Sequence, residues 1–275
     1  TIQDNWARYA DIHTTEEQKC LNQNSIILGN RQDLQNRKLA VNFLQQDKEV
    51  VAFTHGEIAS VVFDEPMYGY AERTLCSTLI EYGKKDVGEP NDRVLVRPRT
   101  ILYRNSLVAK AQYHRRERIE FRELSQAKVL YIPTTYVGNQ IYGPFHAYED
   151  QIYREWQLAL VEVIPFLTVK VHPKSNVALH PPGQPEKRWL DDCINEYDVL
   201  LIDYMATAAV LSIVSDKPII YFDIGLRKLS KTFERDLHAR SQYARIDING
   251  NLREQIHDGL EKYSRSSRRW SNIDI

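Results

Sequence analysis

Two different periods of hydrophobic and polar residues alternate along the second half of the chain. Short runs of β-branched and aromatic residues are typical of buried strands, and the segments between them repeat apolar residues every three to four positions, as amphipathic helices do. This alternation predicts βαβ units and a parallel sheet. The predicted strands are Val129–Pro133, Thr168–His172, Val199–Asp203, Pro218–Phe222 and Tyr243–Ile248. The predicted helices are Tyr148–Ile164, Arg188–Asn195, Thr207–Val214, Arg227–His238 and Leu252–Tyr263.

The first half has a weaker pattern of the same kind. Its apolar spacing predicts a helix over Leu34–Leu44 and strands over Glu49–His55 and Thr78–Tyr82. A basic stretch, Arg93–Arg122, is expected to connect the two halves, and Pro181–Pro185 is expected to be a loop. The sequence therefore predicts an α/β protein with two Rossmann-like domains, residues 1–125 and 126–275, the second with a doubly wound parallel sheet.

Charge and cysteine content narrow the class of protein. The 275 residues carry 36 Lys and Arg against 37 Asp and Glu, so no overall positive field marks a nucleic-acid binder. Three widely separated cysteines indicate neither a zinc site nor a disulfide framework, and no apolar run reaches the length of a membrane span. We expect a cytoplasmic protein. Because the chain begins at Thr1 without a leader pattern, we also expect it to be part of a longer protein.

Polar residues follow three successive predicted strands. Ligands of open parallel sheets bind at the carboxyl ends of the strands, where loops and helix amino termini converge. The helix predicted to begin near Thr207 would offer unpaired N–H groups to a phosphate, and Asp203 or Thr207 would either cap that helix or bind the ligand. The candidate donor-binding residues are Thr134, Thr135, His172, Lys174, Asp203, Met205, Ala206 and Thr207.

Several motifs of other enzyme classes do not occur in the sequence. It contains no GxGxxG after the first of these strands, no P-loop motif and no GxSxG elbow. It also contains no HExxH motif or comparable cluster of His and carboxylates. We therefore expect neither a catalytic metal nor a tightly bound cofactor, and we expect helix amides and cations to neutralise the phosphate.

The same segments resemble a known group of enzymes. Tyr131–Thr135, His172–Lys174, Asp198–Tyr204 and Asp216–Phe222 are similar to the carboxy-terminal domain of GT-B enzymes that build bacterial surface polymers. This group contains CDP-glycerol glycerophosphotransferases of teichoic acid synthesis and the capsule, lipopolysaccharide and Kdo transferases. The resemblance covers about 100 residues, and it extends to Thr54–Gly56, which is similar to a His-Gly motif of the amino-terminal domain.

The resemblance implies a GT-B-like fold and a glycosyltransferase. A CMP, CDP or UDP sugar would be the donor, and a growing surface polysaccharide or lipid-linked glycan would be the acceptor. His55 would remove the proton from the attacking hydroxyl, and Glu57 would orient it, act as the base or serve as the nucleophile. A structural role at a strand end stays open for His55, as does a solvated surface role for Glu57.

Three alternatives to glycosyl transfer remain open from the residues. A CDP-alcohol phosphotransferase would use the same residues, a non-catalytic nucleotide-sugar-binding module of a larger synthase would bind without turnover, and an epimerase would release nucleotide without an acceptor. The basic segments Tyr113–Arg122 and Arg265–Trp270 would either hold the protein at the inner face of the membrane or form solvated helix faces.

Overall fold

A computed structural model describes residues 22–29, 33–53, 74–82, 99–103, 123–136, 147–172 and 182–265. The chain divides into two compact units, Thr1–Asn105 and Ser106–Ile275. The predicted boundary at residues 125 and 126 stays a prediction, because the neighbouring residues 104–122 lie outside the described ranges.

The first unit contains a parallel sheet in which strand order follows chain order. Its strands are β1 (Ser25–Leu28), β2 (Glu49–Phe53), β3 (Thr78–Tyr82) and β4 (Arg99–Tyr103). Every neighbouring pair is parallel. Helix α1 (Leu34–Gln45) connects β1 to β2 and buries Ala40 and Phe43 against the sheet. Strand β4 lies inside the basic stretch that was expected to be a connection, so that expectation is wrong over Arg99–Tyr103.

The second unit is a larger α/β domain. In the described residues its strands are β5 (Val129–Ile132), β6 (Thr168–Lys170), β7 (Gln184–Glu186), β8 (Val199–Ile202), β9 (Ile219–Asp223) and β10 (Gln242–Arg245). Its α-helices are α2 (Asp150–Val163), α3 (Leu190–Cys193), α4 (Thr207–Val214), α5 (Lys231–Arg240) and α6 (Leu252–Ser264). Short 3-10 turns precede β5 and β8, at Leu124–Gln126 and Ile194–Glu196.

The order of the strands in the second sheet is β10-β9-β8-β5-β6-β7, and all pairs are parallel. From β5 the chain first builds outward through β6 and β7, and then returns to the other side of β5 to build β8, β9 and β10. This is the 3-2-1-4-5-6 order of the Rossmann fold, with its topological switch point between β5 and β8.

Helices cover both faces of this sheet. The crossover from β5 to β6 advances along the sheet in one direction, and the crossovers from β8 to β9 and from β9 to β10 advance in the other. Because such crossovers are right-handed, α2 lies on one face of the sheet and α4 and α5 lie on the other. Residues of β5, β8 and β9 that point toward α2 and α6 form one continuous core with Trp156 and Leu160 of α2 and Ile256 of α6. The alternate strand residues are also buried, as strands covered on both faces require. The prediction of an α/β, doubly wound second domain is confirmed.

Strand β7 (Gln184–Glu186) corrects the prediction of a loop at Gln184 and Pro185, and Pro181 lies outside the described residues. The strand forms the edge of the sheet, where a proline without an N–H is tolerated. Gly183 precedes the strand with a φ of +108°, and a Cβ there would lie 2.8 Å from a methyl group of Val169. The Glu186 carbonyl accepts a 2.9 Å hydrogen bond from the N–H of Val171, which joins β7 to β6.

Among the described residues, no helix combines the length and apolarity that crossing a bilayer requires.

Candidate functional site

The switch point brings two of the three predicted polar segments together. Because β5 pairs directly with β8, Thr134 and Thr135, which follow β5, share one edge of the sheet with residues 203–207, which follow β8. His172 follows β6, the neighbour of β5 on the other side, and is half-buried. Both threonines are buried, at 3% and 8% exposure. Three neighbouring strand ends at the centre of the sheet thus carry those predicted donor-binding residues that the structure describes.

Asp203 lies beneath this edge rather than on it. It is 1% exposed, and its carboxylate accepts hydrogen bonds from the hydroxyls of Tyr131 and Tyr153 and from the indole N–H of Trp156. The Tyr153 and Trp156 bonds are 3.1 Å and 2.8 Å long. Asp203 is in phase with Val199 and Leu201, which face α2, so its side chain turns toward that helix.

Burial raises the pKa of Asp203 from 3.8 to about 6, although the hydrogen bonds from Tyr131, Trp156 and Tyr153 oppose the shift. Burial likewise raises the pKa values of Tyr131 and Tyr153 well above their ordinary range. Both tyrosines are therefore hydroxyl donors at every physiological pH. At neutral pH the carboxylate is mostly ionised, and the neutral side-chain donors of Tyr131, Tyr153 and Trp156 stabilise its charge.

The Asp203 cluster also fixes the backbone at the end of β5. The hydroxyl oxygen of Tyr153, which donates to the carboxylate, accepts the backbone N–H of Thr134 at 3.0 Å. On the other side, the Gln157 amide donates to the Tyr131 hydroxyl at 3.3 Å and accepts from the Tyr136 hydroxyl. One buried network therefore joins the strand ends of β5 and β8 through α2. Its members position the two sides of the switch point relative to each other.

The start of α4 corrects the prediction that Asp203 or Thr207 caps this helix. The N-cap is Ala206, which has no side chain able to accept a hydrogen bond, and Thr207 is the first helical residue. Helices α1, α5 and α6 are capped by the side chains of Asp33, Ser230 and Asn251. An alanine cap costs about 1 kcal/mol relative to these residue types. It also leaves the first N–H groups of α4 without a side-chain acceptor from the N-cap residue at the switch point.

Met205, which is also predicted to bind the donor, is fully buried. Its side chain is therefore not exposed to a ligand at this edge.

Arg227 is a basic residue of this edge that sequence reasoning did not single out. It follows β9, and its Nε donates a 2.7 Å hydrogen bond to the hydroxyl of Tyr204, which follows β8. Its guanidinium carbon lies 5.0 Å from the centre of the Tyr204 ring. The sequence placed Arg227 in a helix, but α5 begins at Lys231 after the cap Ser230. Ser230 was the signal that would have placed Arg227 in the loop, because a serine before an apolar-periodic segment is a typical helix N-cap.

His55, Glu57 and Lys174 lie outside the described residues, so their roles stay predictions. Where the structure describes the chain, no group of three or more His, Cys, Asp or Glu side chains could hold a metal ion. The functional geometry that can be assigned belongs to the second unit.

Comparison with known proteins identifies the fold and no family. No protein-family model matches the sequence, and no curated protein matches it. A solved structure of S. aureus MnaA with UDP is similar, with a TM-score of 0.50 and 10% sequence identity. The match covers 94% of this chain and 70% of that chain. Identity this low shows the fold alone, and it confirms the prediction of a GT-B-like α/β fold.

Proposed function

We propose that the second unit binds a nucleotide-activated sugar at the switch point between β5 and β8, and that the protein is a glycosyltransferase acting on a surface polysaccharide or glycolipid. The observation that carries the proposal is the strand order, because ligands of Rossmann-like sheets bind outside the carboxyl ends of the strands where that order reverses. Six of the eight predicted donor-binding residues follow the two strands of that switch point.

The chemistry of the edge supports an anionic ligand. The start of α4 offers main-chain N–H groups and the positive end of a helix dipole, and its alanine cap does not compete for those donors. Thr134 adds a hydroxyl from the facing strand end, and His172 adds an imidazole. The Thr135 hydroxyl donates to the Tyr136 carbonyl at 3.0 Å and would have to turn away from it to bind a phosphate. The solved structure of S. aureus MnaA with UDP supports a uridine nucleotide as the first ligand to test.

The proposed mechanism assigns one task to each group of predicted residues. Main-chain amides of residues 206–207, with His172 and Lys174, stabilise the charge that develops on the nucleotide as it leaves the anomeric carbon. His55 removes the proton from the acceptor hydroxyl, with Glu57 as its partner or as a nucleophile. Asp203, although predicted to contact the donor, is proposed to position the Thr134 segment, because its carboxylate is buried among three donors.

The experiment is a binding and product assay on the purified full chain. Isothermal titration with UDP, CDP and CMP identifies the nucleotide, and the corresponding sugar nucleotides are then incubated with and without glycan acceptors. We expect binding of one nucleotide and acceptor-dependent release of that nucleotide. His55→Ala should abolish release and retain binding, and His172→Ala should weaken binding.

Other products would contradict glycosyl transfer in distinct ways. Transfer of an alcohol phosphate from a CDP donor would indicate a phosphotransferase, and nucleotide release without an acceptor would indicate an epimerase. Binding without any turnover, unaffected by His55→Ala, would indicate a binding module. Failure to bind any of the three nucleotides would contradict the whole proposal.

A further inference from the structure

The turn after β9 is held in one conformation by contacts from several sides. Gly225 has a φ of +80°, and its N–H donates to the Asp223 carboxylate at 3.0 Å. The Tyr148 hydroxyl donates to the Ile224 carbonyl at 2.7 Å and would lie 3.3 Å from a Cβ at Gly225. Ile224 and Leu226 are buried in the core beneath the turn. The backbone that leads into Arg227 is therefore fixed before any ligand binds.

The side chain of Arg227 is oriented as well. Its Nε donates to the Tyr204 hydroxyl, and its guanidinium lies over the ring of the same tyrosine. Tyr204 is 3% exposed and belongs to the core cluster, so it is a rigid support. The terminal nitrogens of a guanidinium form the paired donors that bind phosphate oxygens, and the Tyr204 contact fixes the direction in which the Arg227 group points.

The position of Arg227 favours an anion. Arg227 is half-buried, and this burial lowers the pKa of its guanidinium to about 10, so the group stays protonated at neutral pH in a partly desolvated place. A phosphate in contact with it would offset the cost of that desolvation. Tyr204 lies two residues before the cap of α4, which places the guanidinium at the carboxyl edge of β8 and β9.

We propose that Arg227 binds the diphosphate of the donor nucleotide and that Tyr204 positions its guanidinium. The inference rests on the proposed function and adds a binding residue to it. Arg227 would approach from the β9 side, and Thr134 and Thr135 would approach from the β5 side. Its charge would compensate the negative charge of the leaving group.

The test compares nucleotide and nucleoside binding by titration calorimetry. UDP and uridine are titrated into the wild-type chain and into Arg227→Gln, Arg227→Lys and Tyr204→Phe, with CDP and cytidine in parallel. Arg235→Gln, an exposed arginine of α5 paired with the neighbouring Asp236, is the matched control. The Arg227→Gln variant loses a charge-assisted hydrogen bond to the diphosphate, so it should bind UDP about tenfold or more weakly than the wild type. Its binding of uridine should be unchanged.

Two milder substitutions separate an effect on ligand binding from an effect on folding. Arg227→Lys keeps the charge without the paired donors, and Tyr204→Phe removes the acceptor for Nε while keeping the aromatic ring and the guanidinium. Both should therefore weaken diphosphate binding by less than Arg227→Gln. If UDP and CDP bind the wild type and all three variants equally, Arg227 is not a ligand residue and only this inference falls. If neither nucleotide binds the wild type, the proposed function falls with it. Equal losses for uridine and UDP would indicate a general structural defect and would also overturn the inference.

Discussion

Replacing Asp203 by Asn tests the buried carboxylate at the base of the site through the pH dependence of stability. The pKa of Asp203 is raised from 3.8 to about 6 in the folded protein, chiefly by burial. The folded state therefore binds the proton more tightly than the unfolded state, and stability falls as pH rises from 3.8 to about 6. At roughly 1.4 kcal/mol per pH unit, ionising this group in the folded protein costs about 3 kcal/mol above pH 6.

The Asn variant does not titrate, so it escapes this cost. The free energy of unfolding of Asp203→Asn, relative to wild type, should rise by about 2–3 kcal/mol between pH 4 and pH 7.5. Urea unfolding followed by tryptophan fluorescence measures the free energy of unfolding at each pH. The amide also changes hydrogen bonds in the cluster, but this contribution does not depend on pH and cancels when the two pH values are compared. Asp191→Asn, at an exposed carboxylate of α3, reports the pH dependence shared by the rest of the molecule. A difference that stays constant across this range would refute the reasoning.

Three further variants test individual contacts by urea unfolding. Arg240→Gln should lower the free energy of unfolding by at least about 3 kcal/mol, because the buried guanidinium donates to three carbonyls in the last turn of α4 and the loop that follows it. The exposed control Arg235→Gln should change it by less than about 0.5 kcal/mol. Gly183→Ala should cost about 2 kcal/mol through its positive φ and close Cβ contact, and Gly29→Ala, which meets nothing within 4 Å, should not. Tyr153→Phe should cost about 1–3 kcal/mol by leaving a buried N–H unpaired, and should weaken nucleotide binding. If a variant and its control change the free energy of unfolding equally, or if Tyr153→Phe leaves it unchanged, the contact in question does not stabilise the protein as proposed.

Regular periodicity explains why most of the second unit could be predicted from its sequence. The apolar segment Thr207–Val214 was predicted as a helix with the same bounds that α4 has. Strand β7 was missed because its residues are polar or proline and only its pairing with β6 makes it a strand. An edge strand pairs on one side, so the sequence places few demands on it.

The site residues show a similar limit. The sequence correctly placed Asp203 at a strand end, and its phase with Leu201 was the signal that it turns inward. Its partners could not be predicted, because Tyr131 and Trp156 are brought to it from positions 72 and 47 residues away. Hydrogen bonds between distant segments depend on packing, which periodicity does not specify.

A crystal structure of the full chain with UDP tests the central claim most directly. The account predicts that the diphosphate lies at the carboxyl edge of the second sheet, against the main-chain amides of Ala206 and Thr207, with Thr134 and Thr135 on the facing side. UDP ordered elsewhere on the chain, or this edge filled by packed side chains in the presence of UDP, would contradict it.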